Sequence, residues 1–268
     1  MAASFQHLLL TRFNVQIFTG QGSDTAWLEH RFRFFERVCV PSVLSQTVLG
    51  FRWVLFCDAA SPTWVLDRLR TSIGAAAAPV FVFIDGPETR ENFRAALAPL
   101  LAPGHTHLIT SRLDNDDALA VRFMETVQAQ FTGQDFEFVN FPEGHTCFQG
   151  RVYALRHPSS PFLSLVERLD TPETIRTVMC EPHQEVASRY PVRQVECGPA
   201  WLQIIHGRNV CNMVRGRSRP LADLRPFHSA EVVAAAGDAA GLWGREETWR
   251  YWSRRLAKKF RRWQRPAA

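Results

Sequence analysis

The chain has 268 residues, is 46% hydrophobic and 21% charged, and carries a formal charge of +5. That balance is typical of a folded protein with a sizeable core, in one large domain or two small ones. It holds no apolar run near the roughly 18 residues of a membrane-spanning helix, no secretory leader is expected, and six scattered cysteines without a C-x-x-C pair exclude a zinc ribbon or dense disulfide framework and suggest free thiols in a reducing cytoplasm.

Residues 8–13, opening with Leu8-Leu9-Leu10, predict a buried strand, ending at Asn14. After a Gly/Ser/Asp turn, Leu28, Phe32, Phe35 and Cys39 recur at helical spacing. Pro41 is expected to end or kink that helix, with 42–46 as a further short turn. Residues 51–57 predict a second strand closing at Asp58, 63–72 a helix, 80–84 a third strand closing at Asp85, and 88–101 another helix. A fourth strand through Leu108 and Ile109 leads to Asp114, and 118–131 read as helix. Strands alternating with helices predict an α/β fold with a mostly parallel sheet. Ligands of such sheets bind beyond the carboxyl ends of the strands, so Asn14, Asp58, Asp85 and Asp114 are expected along one edge.

Beyond residue 131 the pattern changes. Residues 136–141 and 147–155 predict strands of a mixed or antiparallel extension, 159–169 a short helix, and 201–205 a last strand leading into His206. Residues 229–244, rich in Ala and Gly, read as a linker or weak helix, which divides the chain into a domain at 1–228 and an arm at 229–268. The arm holds the basic excess: nine Lys/Arg against two Glu from 244 to 268, against 22 basic and 24 acidic residues elsewhere. Trp249, Trp252, Leu256, Phe260 and Trp263 recur every three or four residues between the basic ones. Such an amphipathic helix suits either an anionic membrane surface or docking on its own domain. A nucleic-acid partner is not expected, because the remaining surface is near neutral.

The chemistry concentrates in Asp114-Asn115-Asp116-Asp117. Three carboxylates that close repel one another and resist desolvation unless a cation joins them. A helix cap explains one of them but not three. A calcium loop fails because Leu119 stands where the turn glycine is required. There is no G-x-x-x-x-G-K-[ST], no G-x-G-x-x-G after the first strand and no G-x-S-x-G.

An α/β chain with an Asp closing an early strand and a D-x-D cluster after a later one resembles a GT-A glycosyltransferase of the family 2 type. More specifically, the chain resembles the bacterial family called putative rhamnosyltransferases. The matching pieces are Thr11-Arg12-Phe13-Asn14, Pro41-Ser42 with Gln46, Trp53 with Asp58, the block from Ser111 to Asp117, and the block from Trp201 to Asn209. The resemblance implies a GT-A-like fold and transfer of a sugar from a nucleotide-diphospho-sugar donor to a glycan or lipid-linked acceptor. It implies Mn2+ or Mg2+ at Asp114, Asp116, Asp117 and His206, with Asp116 the direct contact and Asp117 its rival. The donor would be bound by Arg12, Asn14, Asp58, Arg112, Asp114 and Asn115, with Arg215 or Arg217 as further phosphate partners. Glu185, His183 and Glu143 are candidates for the base. The alternatives are a metal-dependent nucleotidyltransferase, or a non-catalytic module docking membrane or nucleic acid through its basic arm. A cytoplasmic enzyme, peripheral at the inner face of the membrane, is the expectation.

Overall fold

Leu8, Leu9 and Leu10 are fully buried, and their strand, β1 (Phe5–Arg12), is the axis of the fold in the computed structural model. A strand apolar on both faces belongs inside a parallel sheet covered on both sides. The structure describes residues 3–15, 24–75, 78–86, 89–206, 214–244 and 249. After β1 come α1 (Thr25–Phe34), α2 (Val40–Leu44), β2 (Arg52–Asp58), α3 (Thr63–Ile73), β3 (Val80–Ile84), α4 (Arg90–Leu97), β4 (His107–Arg112), β5 (Ala118–Leu119) and α5 (Phe123–Gln128). The second half adds β6 (Phe136–Asn140), β7 (Glu143–Phe148), β8 (Arg151–Arg156), β9 (Ser164–Arg168), α6 (His183–Arg189), β10 (Val192–Gln194), β11 (Trp201–Ile204), β12 (Arg217–Arg219), α7 (Ala230–Gly237) and α8 (Ala239–Trp243).

Among the described residues, the strands form two sheets, ordered β10-β6-β9-β4-β1-β2-β3 and β12-β8-β7-β11-β5. In the first, β4, β1, β2 and β3 are parallel, and β9 enters antiparallel between β4 and β6. Phe32, Phe35, Val65 and Leu69 of the α1–α3 side cover one face through Leu9, Leu55 and Ile109. Phe93, Leu97 and Val186 cover the other through Leu8, Leu10 and Phe56. The fold is therefore of the expected α/β class, with a mostly parallel sheet flanked by helices and a mixed extension.

Several local expectations are corrected. The 159–169 stretch forms no helix. Its second half is strand β9, which pairs with two neighbours and buries Leu165 and Val166. Residues 118–131 begin as a strand, with Ala118 and Leu119 paired to Leu202 and Trp201, and turn helical only at Phe123. The 147–155 run is a hairpin, β7 and β8, turning at Gln149 and Gly150, both at positive φ. Pro41 does not stop the α1 path. A π-helical turn, Phe35–Cys39, carries it into α2, where Pro41 sits in the first turn and needs no N–H donor. Residues 230–243 take the helical of the two forms expected, and Val232, Ala236 and Trp243 pack on Phe34, Val38, Leu202 and Ile204. The expected amphipathic segment 245–265 lies outside the described residues except Trp249, which is exposed. Cys39, Cys57, Cys147 and Cys180 are buried free thiols and Cys197 is exposed.

Burial also sets a pH response. Desolvation pushes His7 and His228 down to about 3 and His183 to about 4, and lowers His145. Unfolding lets each protonate near its ordinary value of 6.5, so the stability they contribute is complete above that value and declines as pH falls towards 4. Asp117 and Glu167, raised by burial, oppose this trend, but with His157, also lowered by burial, five histidines outnumber them. Each net proton changes stability by about 1.4 kcal/mol per pH unit. Urea denaturation should therefore show stability falling as pH drops below 6.5, by at least about 1.4 kcal/mol per unit once one net proton is taken up on unfolding, and a His7→Asn variant should have a visibly shallower slope. A flat profile from pH 7 to 5 would refute the assignment.

Candidate active site

The carboxyl ends of β1, β2 and β4 bring three predicted residues side by side. Asn14, 1% exposed, accepts a hydrogen bond from the Asp58 backbone N–H at Oδ1 (3.2 Å) and donates from Nδ2 to Ser61 Oγ (2.9 Å). Asp58 caps its own turn by accepting from the Ala60 N–H (2.8 Å). Asp114 follows β4 one strand away, while Asp85 closes β3 at the sheet margin and is exposed.

In the Asp114–Asp117 loop Asn115, Asp116 and Asp117 are buried and Asp114 is partly exposed, and each carboxylate has a different partner. Asp114 is gripped by Arg112, whose Nη2 and Nε donate to Oδ2 and Oδ1 (2.9 and 3.3 Å), and by Arg12 Nη2 (3.1 Å). Burial alone would raise its carboxyl; the two guanidiniums outweigh that and hold it well below the usual range. Asn115 donates to the Phe13 carbonyl and ties the loop to β1. Asp116 Oδ2 accepts from Arg31 Nη1 (2.7 Å) and lies 2.9 Å from His206 Nε2. Burial opposes its ionisation, but His206 and Arg31 keep it lowered. Asp117 Oδ1 accepts from the Ile204 N–H (2.7 Å). Burial, then the charges of Asp116 and Asp114, push its carboxyl well above the ordinary value.

This last bond explains how His206 arrives. Ile204 ends β11, which pairs with β7 and β5, so Asp117 clamps the end of that strand to its own loop and delivers His206 to Asp116. Phe34 stacks on the His206 ring at 4.4 Å, and His30 Nε2 lies 3.3 Å from His206 Nδ1. Trp243 Nε1 donates to the Ile205 carbonyl (2.7 Å) and closes the same end.

Of the four residues expected at a metal, the structure therefore brings Asp116 and His206 together. Asp114 is committed to arginines and Asp117 to the Ile204 backbone. Among the described residues, no three His, Cys, Asp or Glu side chains converge as a ready cage. A carboxylate and an imidazole 2.9 Å apart, the imidazole backed by a second ring, still suit a divalent cation whose other ligands come from a substrate's phosphates.

The base candidates separate clearly. Glu185 is half exposed and pairs with Arg189; Glu143 is half exposed and pairs with Arg156. Neither bonds to the Asp114–Asp117 loop. His183 differs. Its Nδ1 lies 2.8 Å from the Ser159 carbonyl, which can only accept, so the ring holds its proton there and leaves Nε2 as acceptor. Burial keeps it neutral, and the charges of Arg112 and Asp114 act on it. Arg217 is exposed in β12, and the Arg215 carbonyl accepts from Thr146 Oγ1 (3.1 Å).

Sequence reasoning missed Arg31 and His30. The signal was a second stripe on α1, Trp27, His30, Arg31 and Phe34, spaced i, i+3, i+4, i+7 beside the apolar one.

Residues 23–218 match the family described as putative rhamnosyl transferase. No curated protein matches. Among solved structures, the chain is similar to a putative nucleotide-diphospho-sugar transferase from Desulfovibrio desulfuricans G20, with a TM-score of 0.44, 9% identity, and 90% of this chain and 97% of the other covered. It is similar to HddC from Yersinia pseudotuberculosis, with a TM-score of 0.40, 8% identity, and 74% and 91% covered. It is also similar to S. aureus TarS 1–349 in complex with UDP, with a TM-score of 0.39, 10% identity, and 76% and 61% covered.

Proposed function

The chain belongs to the putative rhamnosyl transferase family, and from that membership we propose that it transfers a sugar from a nucleotide-diphospho-sugar donor to a hydroxyl of a glycan or lipid-linked acceptor, with a divalent cation, Mn2+ or Mg2+, at Asp116 and His206. The observation that carries this reading is the meeting of those two residues, 90 positions apart in sequence, at 2.9 Å, at the same carboxyl-end edge of the sheet as the hydrogen-bonded Asn14–Asp58 pair. Asn14 and Asp58 would face the nucleoside. Arg12 and Arg112, paired through Asp114, would hold that carboxylate ionised as a hydrogen-bond acceptor for the donor. Asp117 acts through β11, by holding His206 in place.

When bound, the cation supplies positive charge against the leaving diphosphate. His183 is assigned as the base. The acceptor oxygen bonds to the anomeric carbon while its proton passes to His183 Nε2. The bond from that carbon to the β-phosphate oxygen breaks, and its electron pair leaves with the nucleoside diphosphate. The basic segment 245–265 would hold the enzyme beside a lipid-linked acceptor at an anionic membrane surface.

The test is release of nucleoside diphosphate from a panel of UDP-, GDP- and dTDP-sugars by the full chain, with Mn2+, with Mg2+ and with chelator. One donor class should be consumed, with the cation required. A His183→Gln protein should bind that donor normally and turn over about 10²- to 10⁴-fold more slowly. No release from any donor would overturn the reading. Consumption of a nucleoside triphosphate would redirect it to the nucleotidyltransferase alternative, and a His183→Gln enzyme at full rate would remove His183 as base.

A further inference from the structure

Arg31 is anchored in a way that its ion pair with Asp116 does not explain. Its side chain is 13% exposed, and Nη1 donates to Asp116 Oδ2 and Asn115 Oδ1. Its Nε is buried and finds no acceptor among the described residues. Arg68, a structural counterpart, uses Nε, Nη1 and Nη2 on Glu36 and Glu29. Arg112 uses Nε and Nη2 on Asp114. A buried N–H without a partner costs free energy that an arriving acceptor recovers. The guanidinium also rests 4.9 Å over the Trp27 ring, a contact that retains it when Asp116 is shared with another cation.

Charge counting points the same way. Arg12 and Arg112 pair with Asp114 and Arg31 with Asp116, three guanidiniums against two carboxylates, while Asp117 bonds to the Ile204 N–H. Adding a divalent cation enlarges that positive surplus, which an anionic diphosphate would offset. We propose that Arg31 is a diphosphate-binding residue, which shares Asp116 with the site's cation and directs its unused donors to the pyrophosphate of the sugar donor. The inference rests on the reading of the Asp114–Asp117 loop as the donor site.

Inorganic pyrophosphate is the probe, because it is independent of base and sugar. Its affinity is measured by calorimetry on the full chain, with and without Mn2+, for wild type, Arg31→Gln, Arg31→Lys, Asp116→Asn and the Arg31→Gln/Asp116→Asn double variant. Arg31→Gln should bind about tenfold or more weakly, and Arg31→Lys should recover part of the loss. The double variant should bind about tenfold more weakly than Asp116→Asn alone. That comparison excludes a merely neutralising role, since the double variant has lost both charges, and it stands even if Arg31→Gln alone folds poorly. Equal affinity of the double variant and Asp116→Asn would overturn the inference while leaving the donor site intact. A wild-type protein that binds no pyrophosphate with or without Mn2+ would overturn the donor-site reading and the inference together.

Discussion

An Asp116→Asn enzyme should fold and lose at least about 10²-fold in transfer rate. The asparagine fills the same volume and still offers Arg31 and His206 a neutral oxygen, so little packing changes. What disappears is the charge that Arg31 and any divalent ion require. Asp116→Ala should do more. Arg31, mostly buried, would lose its acceptor as well as its anion, and stripping one partner from a buried pair costs about 3–5 kcal/mol. The two variants thus divide the role of Asp116: equal rate losses with unequal denaturation midpoints. Urea unfolding and initial rates on the same preparations measure both. Asp116→Asn turning over at the wild-type rate would remove Asp116 from the chemistry.

Gly144→Ala should be severely destabilising. A Cβ on Gly144 would lie 2.1 to 2.4 Å from Cδ2, Cε2 and Cε3 of Trp201. The indole has nowhere to retreat. It is fully buried, stacked on Phe162 with centroids 5.0 Å apart, and its Nε1 donates to the Phe141 carbonyl (2.8 Å). Relief requires β7 and β11 to separate, and overpacking of this severity costs about 3 kcal/mol or more. The melting temperature should fall by about 10 °C. The damage would reach the chemistry, because β11 carries His206 and its Ile204 N–H is the partner of Asp117. Activity should therefore drop even below the melting transition. Adding Trp201→Leu should recover part of the stability by removing the colliding ring. A Gly144→Ala protein with wild-type melting would refute the account.

The first half of the fold was legible because its signals are local. Strands β1 to β4 each contain a short apolar run, and each is closed by a polar residue at its end or just beyond it, so burial and boundary are written in the same few positions. The second half misled. Residues 164–168 have no strong strand alternation, and their conformation follows from the slot between β4 and β6, which supplies partners on both edges. Ala118 and Leu119 are good helix formers held extended by β11, more than eighty residues away in sequence.

The site divides along the same line. Three acidic residues within four positions announce an unusual electrostatic need, and a histidine after a late strand is a recognisable second donor, because like charges at short sequence spacing must be neutralised in any fold. Which carboxylate meets which cation could not be read from spacing. Asp114, Asp116 and Asp117 differ by a few positions in sequence yet face two arginines, an arginine with a histidine, and a backbone amide. Those assignments depend on side-chain directions at the junction of two sheets and α1, and α1 reaches the loop only through long-range packing. Local chemistry marked where charge had to gather in this chain; its partners were settled by non-local burial, which brings Arg31 and His206 to one carboxylate from opposite ends of the sequence.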